Sequence, residues 1–240
     1  MLFQTYLILH TLALAWFAIG TPVAPDVNIG TVVNLRIEGA EKTIFEGPIF
    51  TRGHNVTTVA GGNHHCDGTN NHENPRPGPT CTSALDSAGK EHGFTFDGTF
   101  DPEFDDFFIT RIGDSPQTAT QFWGILVGFE FTPVGGCQQR VHLGDDVLWA
   151  FDAFSKNHFL KLAGPVTARS GQPVRFMVTD GMTGGGVAGA RVVASGRGAG
   201  SQVSDASGHV TFTFNARGVH DLKADRDDSI RSNGVSVLVV

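Results

Sequence analysis

Val141-His142-Leu143-Gly144-Asp145-Asp146-Val147-Leu148-Trp149-Ala150-Phe151-Asp152 reads as two short strands meeting at a Gly-Asp turn. The second strand puts Val147, Trp149 and Phe151 on one face, a spacing that fits a pleated and not a helical backbone. Upstream, Phe122 to Phe129 reads as a buried strand. At the start of the same region, Val32 to Glu38 alternates apolar and polar residues as a half-buried strand does. Gly39 breaks it, and Thr43 to Phe50 returns as a hairpin partner.

Between the hairpin and the closing strands, Gly61 to Pro79 is rich in Gly, Asn and Pro and reads as a loop. Thr80 can cap a short helix over Cys81 to Ala88, with Gly89 as its stop. Phe94-Thr95-Phe96, an acidic run from Asp97 to Asp106, and Phe107-Phe108-Ile109 follow. Strand, strand, helix, then strands is the order that a β-grasp requires.

After Gly164-Pro165 the pattern changes. Gln172 to Val178, Ala190 to Ala194, His209 to Phe214 and Val235 to Val240 are short alternating segments separated by Gly-rich turns. Such spacing without helical periodicity predicts a β-sandwich. The expected architecture is mainly β: an α+β first domain over 21–162 and an immunoglobulin-like sandwich over 163–240.

Tyr6 to Ile19 is nearly unbroken apolar sequence, free of Asp, Glu, Lys and Arg, and too short for a comfortable membrane span. With Ala18-Ile19-Gly20 behind it, residues 1–20 read as a signal peptide cleaved before Thr21; an N-terminal anchor helix is the alternative. The expected location is extracellular, secreted or at the cell surface, with no stable membrane insertion. Asn55-Val56-Thr57 is a glycosylation sequon. Cys66, Cys81 and Cys137 all lie in the first domain, where an oxidising compartment should pair two of them. Proximity along the chain favours Cys66–Cys81, and Cys66–Cys137 is the alternative.

Residues 21–162 carry 9 Lys/Arg against 18 Asp/Glu, and residues 163–240 carry 8 against 6. An acidic first domain argues against nucleic acid as partner. A small molecule, a glycan or a surface protein fits better. Fourteen of the 19 Phe lie in the first domain, most of them explained by a core filled with bulky rings. Exposed members of Phe94, Phe96, Trp123 and Trp149 are the candidate ligand contacts.

Catalytic and metal motifs are sparse, and no catalytic residue is assigned. His64-His65-Cys66-Asp67, with His72, has metal-ligand residue types crowded into one loop. Asp101, Glu103, Asp105 and Asp106 could offer oxygens to Ca²⁺, without EF-hand spacing. A Gly-x-Ser-x-Gly elbow, a His-Glu-x-x-His helix and a phosphate-binding loop are absent. A secreted glycosidase-like hydrolase would require Glu103, Asp105 and Asp145 to converge. No cofactor is expected.

Two resemblances can be stated. Trp123-Gly124-Ile125-Leu126-Val127-Gly128, then Val141 through Phe151, resembles the closing half of the transcobalamin-like C-terminal β-grasp domain, and Val33 to Phe50 resembles its opening hairpin. The likeness implies a module that binds small soluble ligands. In the cobalamin carriers it closes over the corrin beside a helical barrel that has no counterpart here, so cobalamin is not the expected ligand. Val187 to Val192, Ser204 to Val210 and Gly218 to Ala224 are similar to bacterial-type immunoglobulin-like and carboxypeptidase-regulatory-like domains. Those imply a spacer or adhesion unit. The resulting expectation is a non-enzymatic binding or adhesion protein, a β-grasp module on an immunoglobulin-like spacer, with a purely structural surface protein as a further alternative.

Overall fold

The alternation of Val33, Leu35 and Ile37 commits one face of the first strand to a core, and the rest of the N-terminal domain is built on that face. A computed structural model describes residues 28–198 and 200–240. The expected signal segment lies outside the described residues. The N-terminal strands are β1 (Thr31–Glu38), β2 (Thr43–Thr51), β3 (His54–Thr58), β4 (Gly62–Cys66), β5 (Phe96–Asp101), β6 (Asp106–Ile112), β7 (Ser115–Pro116), β8 (Trp123–Val127), β9 (Glu130–Phe131) and β10 (Asp146–Phe151). One helix, α1 (Cys81–His92), lies between β4 and β5.

The main sheet has the order β2-β1-β10-β8-β9. β1 and β2 form the antiparallel hairpin, Thr31 opposite Thr51. β10 lies parallel to β1, with Leu35 opposite Val147 and Ile37 opposite Trp149. β8 then pairs antiparallel with β10. An opening hairpin, a helix and a last strand inserted parallel beside the first make this a β-grasp-like domain. α1 packs on β1 and β2, and Ala84, Leu85 and Ala88 join Val33, Leu35, Ile37, Val147, Trp149 and Phe151 in one core.

Three local expectations need correction. Val141-His142-Leu143 is not a strand: Asp145 Oδ2 accepts the His142 N–H at 2.8 Å and Gly144 turns at φ +82°. The Gly144 N–H donates to Val32 O, so the turn delivers β10 alongside β1 instead of folding it back on itself. The helix runs beyond Gly89 to His92. Thr80 and Ser83 form the reciprocal N-terminal cap, and Gly93 at φ +77° is the left-handed stop. Gly89 sits inside the helix because Phe94 lies against it and leaves little room for a side chain. Finally, the stretch read as one loop from Gly61 begins with a strand, since β4 pairs with β3 from Thr58–Gly62 to His54–Cys66.

The disulfide joins Cys66 to Cys137, the alternative pairing, and Cys81 is a buried free thiol. Nearness in sequence misled here. Cys81 opens α1, with its N–H on Gln139 O, whereas the Gly68 N–H donates to Cys137 O and brings that loop beside the end of β4. Burial pushes the Cys81 thiol far above its ordinary value.

The C-terminal strands are β11 (His158–Ala163), β12 (Thr167–Ala168), β13 (Pro173–Asp180), β14 (Arg191–Ala194), β15 (Ser201–Val203), β16 (His209–Thr213), β17 (Gly218–Asp225), β18 (Ser229–Ile230) and β19 (Val235–Val239). They form two sheets, β16-β13-β11-β18 and β12-β19-β17-β14-β15. Phe176, Val178, Val210 and Phe212 of the first sheet share a core with Val192, Leu222, Ala224 and Val237 of the second. This is the expected sandwich. β11 precedes the Gly164-Pro165 break, yet it pairs with β13 and β18.

Candidate functional site

β10 is buried on both faces. Val147, Trp149 and Phe151 face the core under α1, while Leu148 and Ala150 join Leu126, Ala153, Phe159 and Ile230 in a separate apolar seam. Phe159 and Ile230 belong to the sandwich, so the sandwich covers the sheet face opposite the helix. The main sheet is thus a middle layer, with α1 on one side and the C-terminal domain on the other.

The same alternation that buries Val33, Leu35 and Ile37 turns Asn34, Arg36 and Glu38 towards that second face. Glu38, 1 % exposed, accepts from Arg231 Nε at 2.9 Å on Oε2, and Lys223 Nζ lies 2.9 Å from Oε1 as an ion pair that leaves this oxygen without a hydrogen-bond donor. Lys223 also meets Glu46 at 2.7 Å, and the other Glu46 oxygen accepts the Gly234 N–H at 2.7 Å. Arg36 Nη1 donates to Arg231 O at 2.8 Å. These charges cross the seam around the one fully buried carboxylate, Glu38, while Lys223, Arg231 and Glu46 keep partial access to solvent.

A third contact comes from the β8–β9 turn. Gly128 and Phe129 both have positive φ, +59° and +66°, as a two-residue hairpin turn with right-handed strand twist requires. A bulky residue is unusual there. The Phe129 ring reaches across to Gly181, where any side chain would collide with it. Packing on the other domain holds an aromatic ring in a conformation that local sterics disfavour.

Beside this ring the seam opens into a cleft of about 310 Å³, lined by Arg36, Pro48, Phe129, Leu148, Lys161 and Asn233 among others. Arg36 Cζ and Lys161 Nζ each lie 5.7 Å from the centre of the Phe129 ring, within cation–π range. Arg36 is 7 % exposed. Burial lowers its guanidinium from the ordinary value, with Glu38, Glu46 and Asp146 opposing. It remains a cation at neutral pH.

The residues expected to touch a ligand lie elsewhere. Trp123 and Trp149 are 7 % and 1 % exposed and belong to the core under α1, so neither presents a face to solvent; Phe94 and Phe96 are half-buried against the same core. Asn55 is exposed on β3, its side-chain N–H on Asn63 Oδ1. His64 stacks on Phe100 at 3.6 Å, Cys66 is in the disulfide, and His65 bridges Asp67 and Asp105. Burial opposes charge on His65, but the two carboxylates raise its pKa overall.

The acidic residues are also distributed among separate partners. Asp101 accepts the Glu103 N–H in an exposed turn, and Asp105 accepts from His65 and the Asn71 N–H. Asp106 accepts the N–H groups of Phe107, Cys137 and Gln138. Burial nevertheless raises the Asp106 pKa from 3.8 to about 6. Asp145 serves the turn at His142. Among the described residues, no three His, Cys, Asp or Glu converge as metal ligands would. Asp101 and Asp106 do line a Phe-rich groove of about 660 Å³ with Phe100, Phe104, Phe107 and Phe108, but the oxygens of Asp106 are taken up by backbone donors.

The sequence reading missed the cleft because its residues come from β1, β2, the β8–β9 turn, β10, β11 and the segment before β19. One signal was available. β10 carries apolar residues on both faces, so both faces must be covered.

No protein-family profile matches the chain, and no curated protein does. Among solved structures there is a distant match, over 52 % of this chain, to haptocorrin in complex with Cbi, at 17 % identity and a TM-score of 0.33. The match spans 26 % of that chain.

Proposed function

We propose that this protein is an exported, non-enzymatic binding protein that holds a small ligand between its two domains. The observation that carries the reading is the cleft on the second face of the β-grasp sheet, where buried Arg36 stands beside an aromatic ring held in place by the facing domain. The combination of apolar walls and a few polar groups is what small-molecule sites present. Among the described residues, no helix is long and apolar enough to cross a membrane, and the Cys66–Cys137 bridge suits an oxidising compartment. In this reading the sandwich is a wall of the site as well as a spacer.

A fragment screen by ligand-observed NMR, with hits mapped by amide shift changes on the full chain, tests the proposal. Hits are expected to move Arg36, Gly47, Leu148, Lys161 and Asn233 together. Hits that all map outside the seam, or no hits at all, would overturn it.

A further inference from the structure

The cleft also defines which chemistry it can hold, and this step rests on the binding function just proposed. Arg36 uses Nη1 on Arg231 O, and among the described residues its remaining N–H groups have no protein acceptor. Arg36 is 7 % exposed, and its remaining guanidinium N–H groups are reached from the cleft, where an acceptor on a bound molecule can take the place of water. The free donors line the cleft beside the Phe129 ring. Lys161, exposed at the rim, adds a second cation.

The carboxylates in the same wall restrict what can enter. Glu46 is engaged by Lys223 and the Gly234 N–H, and Asp146 Oδ1 accepts from Asn34 Nδ2 at 3.0 Å. Their charges offset part of the attraction of Arg36 and Lys161 for any anion, and because the cost of desolvation grows with the square of the charge, a dianion or polyphosphate is held less well than a single delocalised charge. A planar carboxylate matches the guanidinium fork bidentately, whereas an ammonium would gain nothing from it. Pro48, Leu148 and Phe129 provide apolar surface for the rest of the molecule, and a volume of about 310 Å³ is at the small end of ligand sites.

We infer that the interdomain cleft is a monocarboxylate site: a single-ring aryl carboxylate places its carboxylate on Arg36 and its ring against Phe129 and Pro48. Isothermal titration of the full-length protein with benzoate, benzamide and inorganic phosphate tests this, in the wild type and in Arg36→Lys and Lys161→Met variants.

Benzoate is expected to bind at least about tenfold tighter than benzamide, and phosphate not to bind. Arg36→Lys keeps the charge but loses the fork, and should weaken benzoate about tenfold; Lys161→Met should weaken it only two- to threefold. If Arg36→Lys does not fold, the comparison of benzoate with benzamide on the wild type decides alone. Equal affinity for acid and amide, unchanged affinity in a folded Arg36→Lys variant, or tighter binding of phosphate would overturn the inference. Neutral fragments binding in the cleft while benzoate does not would overturn the carboxylate assignment and leave the broader binding function standing. No cleft binding by any probe would remove both.

Discussion

At the scale of single residues, Phe129 and Asp106 carry the sharpest consequences. Phe129 occupies a turn position with φ +66° that favours glycine. Replacing it by alanine loses the ring and keeps the backbone strain, whereas glycine loses the ring and relieves the strain. Phe129→Gly should therefore be more stable than Phe129→Ala by about 1 kcal/mol, the reverse of the usual order. Urea denaturation of the two variants measures the difference, and alanine proving the more stable would contradict the turn geometry. Asp106 has a folded pKa of about 6 against 3.8 ordinarily, because burial outweighs the three backbone N–H groups it accepts. Its folded state binds the proton more tightly than the unfolded state, so its contribution to stability falls as pH rises through the window from about 4 to 6. The total is on the order of 3 kcal/mol. His65, raised by its carboxylate neighbours, contributes stability that is present below its unfolded pKa and lost as pH rises through the folded one. Asp106→Asn should flatten the slope between pH 4 and 6 in denaturation curves; an unchanged slope would show that Asp106 does not titrate there.

At the scale of elements, the disulfide links the end of β4 to the loop after β9 across 71 residues of chain. The chain-entropy argument gives about 4 kcal/mol for a loop of that size. A Cys66→Ser/Cys137→Ser double variant should lose roughly that much. Hydrogen exchange should rise first in β4 and the segment to Pro79, which has few apolar contacts of its own. Uniform loosening across both domains would contradict this. The elements also show what patterning can and cannot reveal. The β1–β2 hairpin was legible because Val33, Leu35 and Ile37 alternate with polar residues and Gly39 interrupts them. β4 was not, because Asn63-His64-His65-Cys66 has no β-branched or aliphatic residue; its partners are the Phe100 ring and a disulfide, both remote in sequence. The helix stop was misplaced because Gly89 faces a tight contact with Phe94, and glycines chosen for packing look the same in sequence as glycines chosen for turning.

At the scale of the whole molecule, the mainly β class with a single helix was readable from the strand spacing, whereas the change in pattern after Gly164-Pro165 falls one strand too late, since β11 already pairs with β13 and β18. The site was not readable. Periodicity reports which face of a strand is buried, but not what buries it, and the aromatic residues that looked most available, Trp123 and Trp149, went to the core for the reason that large apolar rings usually do. The charges that join the domains, Glu38 and Glu46 with Lys223 and Arg231, are separated by more than 170 residues and carry no local signature. Glu38→Ala takes the buried carboxylate from Arg231 and Lys223, which keep Gly39 O and Glu46 and partial access to solvent, and should cost about 1–3 kcal/mol, read as a loss in denaturant midpoint. A loss under about 1 kcal/mol would mean the network is solvated and contributes little.

The central claim is that the sandwich and the β-grasp sheet share one interface, so that the cleft between them is a fixed feature of the folded protein. Scanning calorimetry of the full chain tests it most directly. The interface of apolar seam, ion pairs and Phe129 predicts one cooperative transition in the wild type, with calorimetric and van't Hoff enthalpies in agreement, that separates into two when Glu38→Ala and Phe129→Ala are combined. Two resolved transitions in the wild type would show that the domains unfold independently and would contradict the account.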